Sequence, residues 1–273
     1  MARSRLIGIA PMQETDVSEK TIDLNVDIGE GFEHDVELIE YASSVNIACG
    51  WHAGDPLTMR RVTTEAIRKG VAVGAHPSFP DRENFGRVPM RLPTDEIYAG
   101  VQYQVGALAA VVAGLNGELS HVKPHGALYN MAEMDEELAF AIVRAIRDYD
   151  PRLAIYGLAG GQLVRVAHEA GLPAIDEAFA DRGYTADGKL VPRSDPGAFL
   201  DTDEASKAQV VDIIDRHCVR SVDGQSVSLR ARSICLHGDG AHAVDFARML
   251  RKHLARAGVG VIAPVPQIVG QHA

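Results

Sequence analysis

Hydrophobic and polar residues alternate along the segment TIDLNVDI, residues 21–28, as they do in a β-strand. The aliphatic side chains at the even positions share one face, and Asp23, Asn25 and Asp27 share the other. Central strands of an open parallel sheet are covered by helices on both sides and are apolar on both faces. A barrel strand has one face against helices and one in the lumen, so this pattern favours a closed barrel.

Six further segments show short β-like runs separated by helical patterns: SSVNIACG, GVAVGAHP, LSHVKPHG, RLAIYGLAG, LPAIDEAF and RSICLHGD. Residues 94–117 carry aliphatic side chains at steps of three and four, which predicts a helix. Strands that alternate with helices predict a parallel sheet. We therefore predict a single α/β domain, an irregular, seven-stranded (β/α) barrel over residues 21–262. A flexible N-terminal tail (1–20) and a C-terminal tail (263–273) would flank it.

Helix ends are marked by short local signals. Asp55 followed by Pro56 is typical of a helix start, where an acidic cap precedes proline in the first turn. Glycines follow four of the helical patterns, at positions 70, 117, 171 and 258, where helices commonly end.

The length and the net charge of the chain exclude several classes of function. The chain has 273 residues, which suits one α/β barrel, and a formal net charge of −10. Nucleic acid and anionic membranes both require a basic surface, so we expect neither as a partner. No run of eighteen apolar residues predicts a membrane span. Three cysteines without a CxxC pair fit a reducing cytoplasm better than a disulfide framework.

The segment LSHVKPHG places His121, Lys123 and His125 on one strand face, which an ordinary apolar core would not do. Catalytic residues of (β/α) barrels lie at the carboxyl ends of the strands. Polar residues occupy six such ends: Asp27 and Glu30; Asn46, His52 and Asp55; His76, Asp81 and Arg87; His121, Lys123 and His125; Glu177, Asp181 and Arg182; His237 and Asp239. Their convergence predicts an active site.

Two chemistries suit this set, and the residues alone leave both open. Asp27, His52 and His76 could hold a divalent metal that activates water. Alternatively, a carboxylate acts as general base while Lys123 and a histidine stabilise developing charge. Single residues also have structural interpretations: His52 or His76 as a hydrogen-bonded core histidine, Asp55 as a helix cap, Asp81 and Arg87 as surface charges, and Glu177 as a partner of Arg182.

Other catalytic motifs are missing from the sequence. It contains no GxSxG nucleophile elbow and neither the GxxxxGK[ST] nor the GxGxxG nucleotide motif. The segment GLAGGQ before a helical pattern could hold a phosphate or carboxylate, although such a segment is more typical of a tight turn.

Long motifs in a fixed order resemble the LamB/YcsF family, whose members are known as the A component of the bacterial ATP-dependent 5-oxoprolinase. They include DLNVDIGE, NIACGWHAGDP, GAHPSFPD, YQVGAL, VKPHGALYN, FADRGY, LVPR and CLHGD. The resemblance covers residues 22–261. Val26 stands where the family usually has cysteine, and the loop after Gly31 is shorter than usual.

The resemblance implies a barrel related to the polysaccharide deacetylases and hydrolysis of the lactam 5-oxoproline to L-glutamate, coupled to ATP hydrolysis. It also implies partner subunits B and C, which would handle the ATP. Within it we interpret Asp27, His52, His76, Lys123, His125, Glu177 and His237 as catalytic. As substrate-binding residues we interpret Asn25, Asn46, Asp55, Arg87, Tyr103, Asp181, Arg182 and Asp239. Homo-oligomer formation and metal binding stay open.

Two other functions remain as alternatives. One is a metal-dependent, deacetylase-like hydrolase that acts alone on an N-acyl or carbohydrate substrate. The other is a carrier subunit that binds 5-oxoproline without cleaving it.

Overall fold

A computed structural model of the chain describes residues 20–236 and 242–264. Its strands are β1 (Thr21–Ile28), β2 (Ser44–Ala48), β3 (Ala72–His76), β4 (Leu119–Val122), β5 (Ala154–Leu158), β6 (Ala174–Phe179), β7 (Cys218–Arg220), β8 (Ser226–Ser228), β9 (Ser233–Leu236) and β10 (Gly260–Val261). Its helices are α1 (Asp35–Leu38), α2 (Pro56–Arg68), α3 (Thr94–Ala113), α4 (Gly126–Ala132), α5 (Glu136–Tyr149), α6 (Gln162–Glu169), α7 (Asp203–Arg216) and α8 (Ala243–Arg256).

Seven parallel strands form the barrel in the order β1-β2-β3-β4-β5-β6-β9, and β9 pairs with β1 to close it. Each of the seven corresponds to a predicted strand, so the prediction of a seven-stranded (β/α) barrel is confirmed. β10 extends the sheet beside the start of β1, and β7 and β8 form a separate antiparallel hairpin. Most of the two predicted tails lies outside the described residues, and the division into tails and barrel stays a prediction.

The two faces of β1 behave as the alternation predicts. The four aliphatic side chains at positions 22, 24, 26 and 28 lie in the main hydrophobic core. Burying each one stabilises the fold by roughly 1.5–3 kcal/mol. Asp23 and Asn25 are fully buried although polar, because they face the lumen and are hydrogen-bonded there. The lumen of this barrel is therefore polar along much of its length.

A glycine on β3 makes room for a lumen histidine. A Cβ atom at Gly74 would lie 2.1 Å from Nε2 of His121, far inside van der Waals contact. The β3–β4 register shifts beside this point, and the His121 ring packs against Tyr156 with centroids 4.4 Å apart. The missing side chain on β3 thus positions the imidazole of β4.

Helix ends largely follow the local signals. Asp55 caps α2, accepting hydrogen bonds from the backbone N–H groups of Leu57 and Thr58. The predicted helix 94–117 ends earlier, at Ala113, because the chain turns through Asn116, whose φ is 56°. In the described part of the chain, no helix has the length and apolar character needed to cross a membrane.

Candidate functional site

Polar layers fill the barrel from its amino end towards its mouth. In the lowest layer, the Asp23 carboxylate accepts hydrogen bonds from the hydroxyl groups of Ser43, Ser44, Ser233 and Tyr156. Burial raises the pKa of Asp23, and these four donors act against that shift. A carboxylate so fully partnered has a structural role, because hydrogen bonding offsets much of its desolvation cost.

The next layer orients the groups above it. Asn46 donates to Oδ1 of Asn25 and to Oδ1 of Asp27, both at 2.8 Å. Asn25 donates in turn to Glu177, also at 2.8 Å. His121 lies with Nε2 at 2.9 Å from Oδ1 of Asn46. The amides predicted to bind substrate therefore hold the catalytic candidates in place.

Lys123 lies between two carboxylates. Its ammonium is 2.7 Å from Glu177 and 3.1 Å from Asp27, and it also lies 3.1 Å from the sulfur of Cys235. Burial would lower the pKa of Lys123, but the negative charges around it outweigh burial and raise that pKa well above its ordinary value. Tyr129 donates to the second oxygen of Glu177 at 2.8 Å. Lys123 is thus a fixed cation whose charge is already balanced.

Four side chains converge at the barrel mouth: Glu30, His52, His76 and His125. One nitrogen or oxygen from each lies within 4.8 Å of all the others. His52 Nε2 and His125 Nδ1 lie 3.1 and 3.3 Å from Oε1 of Glu30. His125 Nδ1 is also 2.9 Å from Nε2 of His76, and the His52 and His125 rings stack with centroids 3.8 Å apart.

The outer ring nitrogens determine where the lone pairs of two histidines point. His76 Nδ1 lies 2.7 Å from the carbonyl oxygen of Lys123, and His125 Nε2 lies 2.9 Å from that of Phe85. A carbonyl oxygen only accepts, so both nitrogens must donate. In the neutral rings, the inner nitrogens then present two lone pairs to each other at 2.9 Å, beside the Glu30 carboxylate. Such an arrangement requires a cation, which is either a proton or a metal ion.

The donor set fits a divalent metal. Three imidazole nitrogens and one carboxylate oxygen are ligands that zinc and related ions prefer, and the carbonyl acceptors behind His76 and His125 are the usual outer partners of metal-binding histidines. Of the three residues predicted as metal ligands, His52 and His76 lie in this cluster. Asp27 lies beside it, with Oδ2 3.4 Å from His76 Nε2 and Oδ1 towards Lys123.

Charge in the cluster is uneven. Burial, with the neighbouring His125 adding to its effect, lowers the pKa of His52 to about 3. Burial would raise the pKa of Glu30, but hydrogen bonds with His125 and His52 outweigh it and lower that pKa. For His76, the attraction of Asp27 outweighs burial, and the pKa rises. Glu30 is therefore ionised and His52 neutral over the physiological pH range.

The structure brings six of the fifteen predicted site residues to the wall of one cavity and leaves others away from it. The cavity wall includes Asp27, His76, Arg87, Lys123, His125 and Arg182. Asp55 is exposed and caps α2, while Tyr103 lies on the outer surface of α3, 65% exposed and stacked on Trp51. Asp181 does not line the cavity. His237 and Asp239 lie outside the described residues.

Three contributors to the site are absent from the predicted catalytic and substrate-binding sets: Glu30, Tyr129 and Arg193. Glu30 follows β1 and is among the strand-end residues, so its position was the available signal. Tyr129 lies on the buried face of α4, where the sequence pattern indicates only a core residue. Arg193 lies in an irregular loop, where no periodicity indicates which side chains face a pocket.

The GLAGGQ segment does bind a carboxylate, but one from the same chain. Glu133 accepts from the Leu158 N–H at 3.3 Å, and the backbone amides of Leu163 and Gln162 act on it at the start of α6. A Cβ atom at Gly161 would lie 2.0 Å from Oε2 of Glu133. Glycine is therefore required there by the approach of this carboxylate.

The fold and the polar centre together define a (β/α) barrel of the kind that carries an enzyme active site at its carboxyl end. The chain belongs to the LamB/YcsF family, whose model matches residues 22–269. It is similar to a lactam utilization protein from Thermus thermophilus, with 41% identity and a TM-score of 0.84 over 89% of this chain and 99% of that one.

Two more distant structures are also similar. A putative cellobiose-phosphate cleavage protein from Enterococcus faecalis V583 matches at 13% identity and a TM-score of 0.54, over 90% of this chain and 97% of that one. This likeness shows a shared fold. A family 4 carbohydrate esterase from Streptomyces lividans matches at 11% identity and a TM-score of 0.45, over 89% and 91% of the two chains.

Proposed function

We propose that this protein opens the lactam ring of 5-oxoproline to give L-glutamate, as the A component of an ATP-dependent 5-oxoprolinase. Family membership and the similar lactam utilization protein support the substrate class. The observation that carries the proposal is the Asp27 carboxylate, held by Lys123 and Asn46 at the wall of the cavity. It is a partly buried, oriented carboxylate next to His76 and is placed to act as a general base on water.

Activation of the substrate explains the need for ATP. A five-membered lactam is stabilised by amide resonance and is a poor electrophile. Transfer of a phosphoryl group to its oxygen makes the ring carbon electrophilic. Water then adds to that carbon, the C–N bond breaks and the ring nitrogen takes up a proton. The acyl phosphate that remains reacts with a second water to give glutamate and inorganic phosphate.

The geometry suggests a role for each group. Asp27 orients the attacking water and accepts its proton. The Lys123 ammonium, 3.1 Å from Asp27, holds this carboxylate in place and favours its charged form. His76, 3.4 Å from Asp27, is in place to exchange that proton. The sequence has no nucleotide motif, and subunits B and C would bind ATP and supply the phosphoryl group.

Glutamate release tests this proposal. The chain is incubated with 5-oxoproline and ATP, first alone and then with subunits B and C. Release only in the complete mixture supports the proposed role, and no release in either mixture contradicts it. A strand-end variant that stops release while 5-oxoproline still binds distinguishes a catalytic component from a carrier.

A second candidate function is a metal-dependent hydrolase that acts alone, and the facing lone pairs of His76 and His125 favour it. When bound there, a divalent ion would lower the pKa of a water molecule and polarise a carbonyl group. The test is the metal content of the purified protein, compared with that of His125→Ala. About one ion per chain that is lost in the variant supports the metal site, and hydrolysis of an N-acyl substrate without ATP supports the second function.

A further inference from the structure

Two arginines on one wall of the cavity are held by the same aromatic ring. Arg182 and Arg193 both line the cavity. Their guanidinium carbons lie 5.0 and 5.1 Å from the centre of the Phe199 ring. Cation–π contacts of this length fix the position of a guanidinium without neutralising it. Phe199 thus brings two positive charges together at the site.

Arg182 is oriented by neutral acceptors. It is only 3% exposed, its Nε donates to the Ala198 carbonyl at 2.9 Å and its Nη2 donates to the Val191 carbonyl at 2.6 Å. Among the described residues, no carboxylate oxygen lies within 4.0 Å of this guanidinium. Burial, with the charge of Arg193 adding to it, lowers the pKa of Arg182 to about 10. Arg193 is half-buried, so the cost of burial falls on the charge of Arg182, and an anion bound there would offset it.

Lys123, the other buried cation of the cavity, is different. Glu177 and Asp27 balance its charge at 2.7 and 3.1 Å. A substrate anion at Lys123 would have to compete with both of these carboxylates. At Arg182 it would not have to displace any carboxylate of the described residues. An anion can therefore bind Arg182 without displacing a carboxylate of the described residues, although the chain as a whole has a net charge of −10.

We propose that Arg182 and Arg193 form an anion-binding subsite for the carboxylate or the phosphoryl group of the substrate. The planar fork of a guanidinium matches either group, because both present two oxygens that accept parallel N–H bonds. This inference deepens the proposed function and relies on it for the identity of the substrate. It assigns Arg193, which no sequence signal indicated, as a residue that determines specificity.

Titration calorimetry of the chain alone tests the subsite. The ligands are 5-oxoproline, inorganic phosphate and 2-pyrrolidinone, which has the same lactam ring without the carboxylate. The variants are Arg193→Gln, Arg193→Lys and a control, Arg165→Gln, whose arginine lies on α6 and pairs with Glu136 and Glu169. We expect Arg193→Gln to weaken anion binding by about tenfold or more and Arg165→Gln to leave it unchanged.

Each outcome decides the matter. If Arg193→Gln weakens the binding of 5-oxoproline alone, the subsite binds the carboxylate. If it weakens the binding of phosphate alone, the subsite binds the phosphoryl group. The subsite is refuted if the unaltered chain binds neither anion, if Arg193→Gln binds both as before, or if 2-pyrrolidinone binding falls equally. The anion affinity of Arg193→Lys should lie between those of the unaltered chain and Arg193→Gln, since lysine keeps the charge but lacks the planar fork of the guanidinium.

The complete mixture with subunits B and C separates this inference from the proposed function. If glutamate is released and Arg193→Gln leaves its KM for 5-oxoproline unchanged, the subsite is wrong and the function stands. If Arg193→Gln weakens anion binding but no mixture releases glutamate, the subsite stands and the proposed function is wrong.

Discussion

Asp27 has a different environment from Glu30, the other carboxylate at the barrel mouth. It touches a lysine, an amide and a histidine, whereas Glu30 touches histidines. The donors from Lys123 and Asn46 fix the direction in which the Asp27 carboxylate points. We therefore propose that Asp27 acts as the base and Glu30 as the group that binds a cation.

Replacing Asp27 with Asn tests the base directly. The amide keeps the size of the side chain but cannot accept a proton, so we expect glutamate release to fall by at least about a hundredfold. The measurement is the rate in the complete mixture, with the circular dichroism spectrum and melting temperature as evidence of folding. Near-normal release by a folded Asp27→Asn protein would exclude the role.

On the scale of single elements, the polar lumen depends on glycine in a strand, where the missing side chain leaves space for a polar neighbour. Gly74 on β3 leaves the volume that the His121 ring fills. A glycine inside a strand normally weakens it, so its presence here reflects packing against the neighbouring strand. Gly106, on α3, provides a matched comparison, because a Cβ atom added there would have no described atom within 4 Å apart from its chain neighbours and the backbone of its own helix.

Gly74→Ala should lower the free energy of unfolding by about 2 kcal/mol or more, because the new methyl group displaces a buried imidazole. Gly106→Ala should raise it by about 0.5–1 kcal/mol, because alanine favours a helix over glycine. Urea denaturation of the two variants measures both. If both variants changed the free energy of unfolding by the same amount in the same direction, the His121 ring would move aside at little cost.

Glu133 links the end of α4 to the start of α6, and burial raises its pKa from 4.5 to about 7. The native state holds this proton up to about pH 7, whereas the unfolded chain loses it above about pH 4.5. Stability from this group is therefore present at low pH and falls as pH rises between these values.

Glu133→Gln should remove that dependence. Relative to the unaltered protein, the variant should gain about 3 kcal/mol in unfolding free energy between pH 4.5 and pH 8, the equivalent of the pKa difference. Denaturation curves at several pH values measure the gain, with exposed Glu137→Gln as the control. A constant difference across the range would contradict the raised pKa.

At the scale of the whole molecule, the barrel contains a buried neutral base. Burial lowers the pKa of His121 from 6.5 to about 3. The unfolded chain takes up a proton at this position below about pH 6.5 and the native chain does not, so acid favours unfolding. The contribution is about 2 kcal/mol at pH 5.

His121→Gln should therefore lose less stability than the unaltered protein when the pH falls from 7 to 5. The comparison uses unfolding free energies at both pH values, and His168→Gln, on the exposed face of α6, serves as the control. If His121→Gln and the unaltered protein lose the same amount, His121 is already protonated in the native state.

The seven barrel strands could be predicted because alternation on β1 and the polar run on β4 already separate a lumen from an outer face. The same alternation places His76 and Lys123 at the site. Asp55 was assigned to it from its place after a strand and Tyr103 through the family motif, and neither signal gives the direction of a side chain. Arg193 and Phe199 meet only through a loop, a tertiary contact that no local pattern encodes.

The side chain of Glu133 has a consequence for anion binding at the glycine-rich turn before α6. At the start of α6 it acts as a tethered competitor, present at an effective concentration on the order of millimolar or higher. A phosphate from solution would have to displace this side chain from the Leu158 N–H. The glycine-rich turn is thus already occupied from within the chain, so an anion that reached it would have to compete with Glu133.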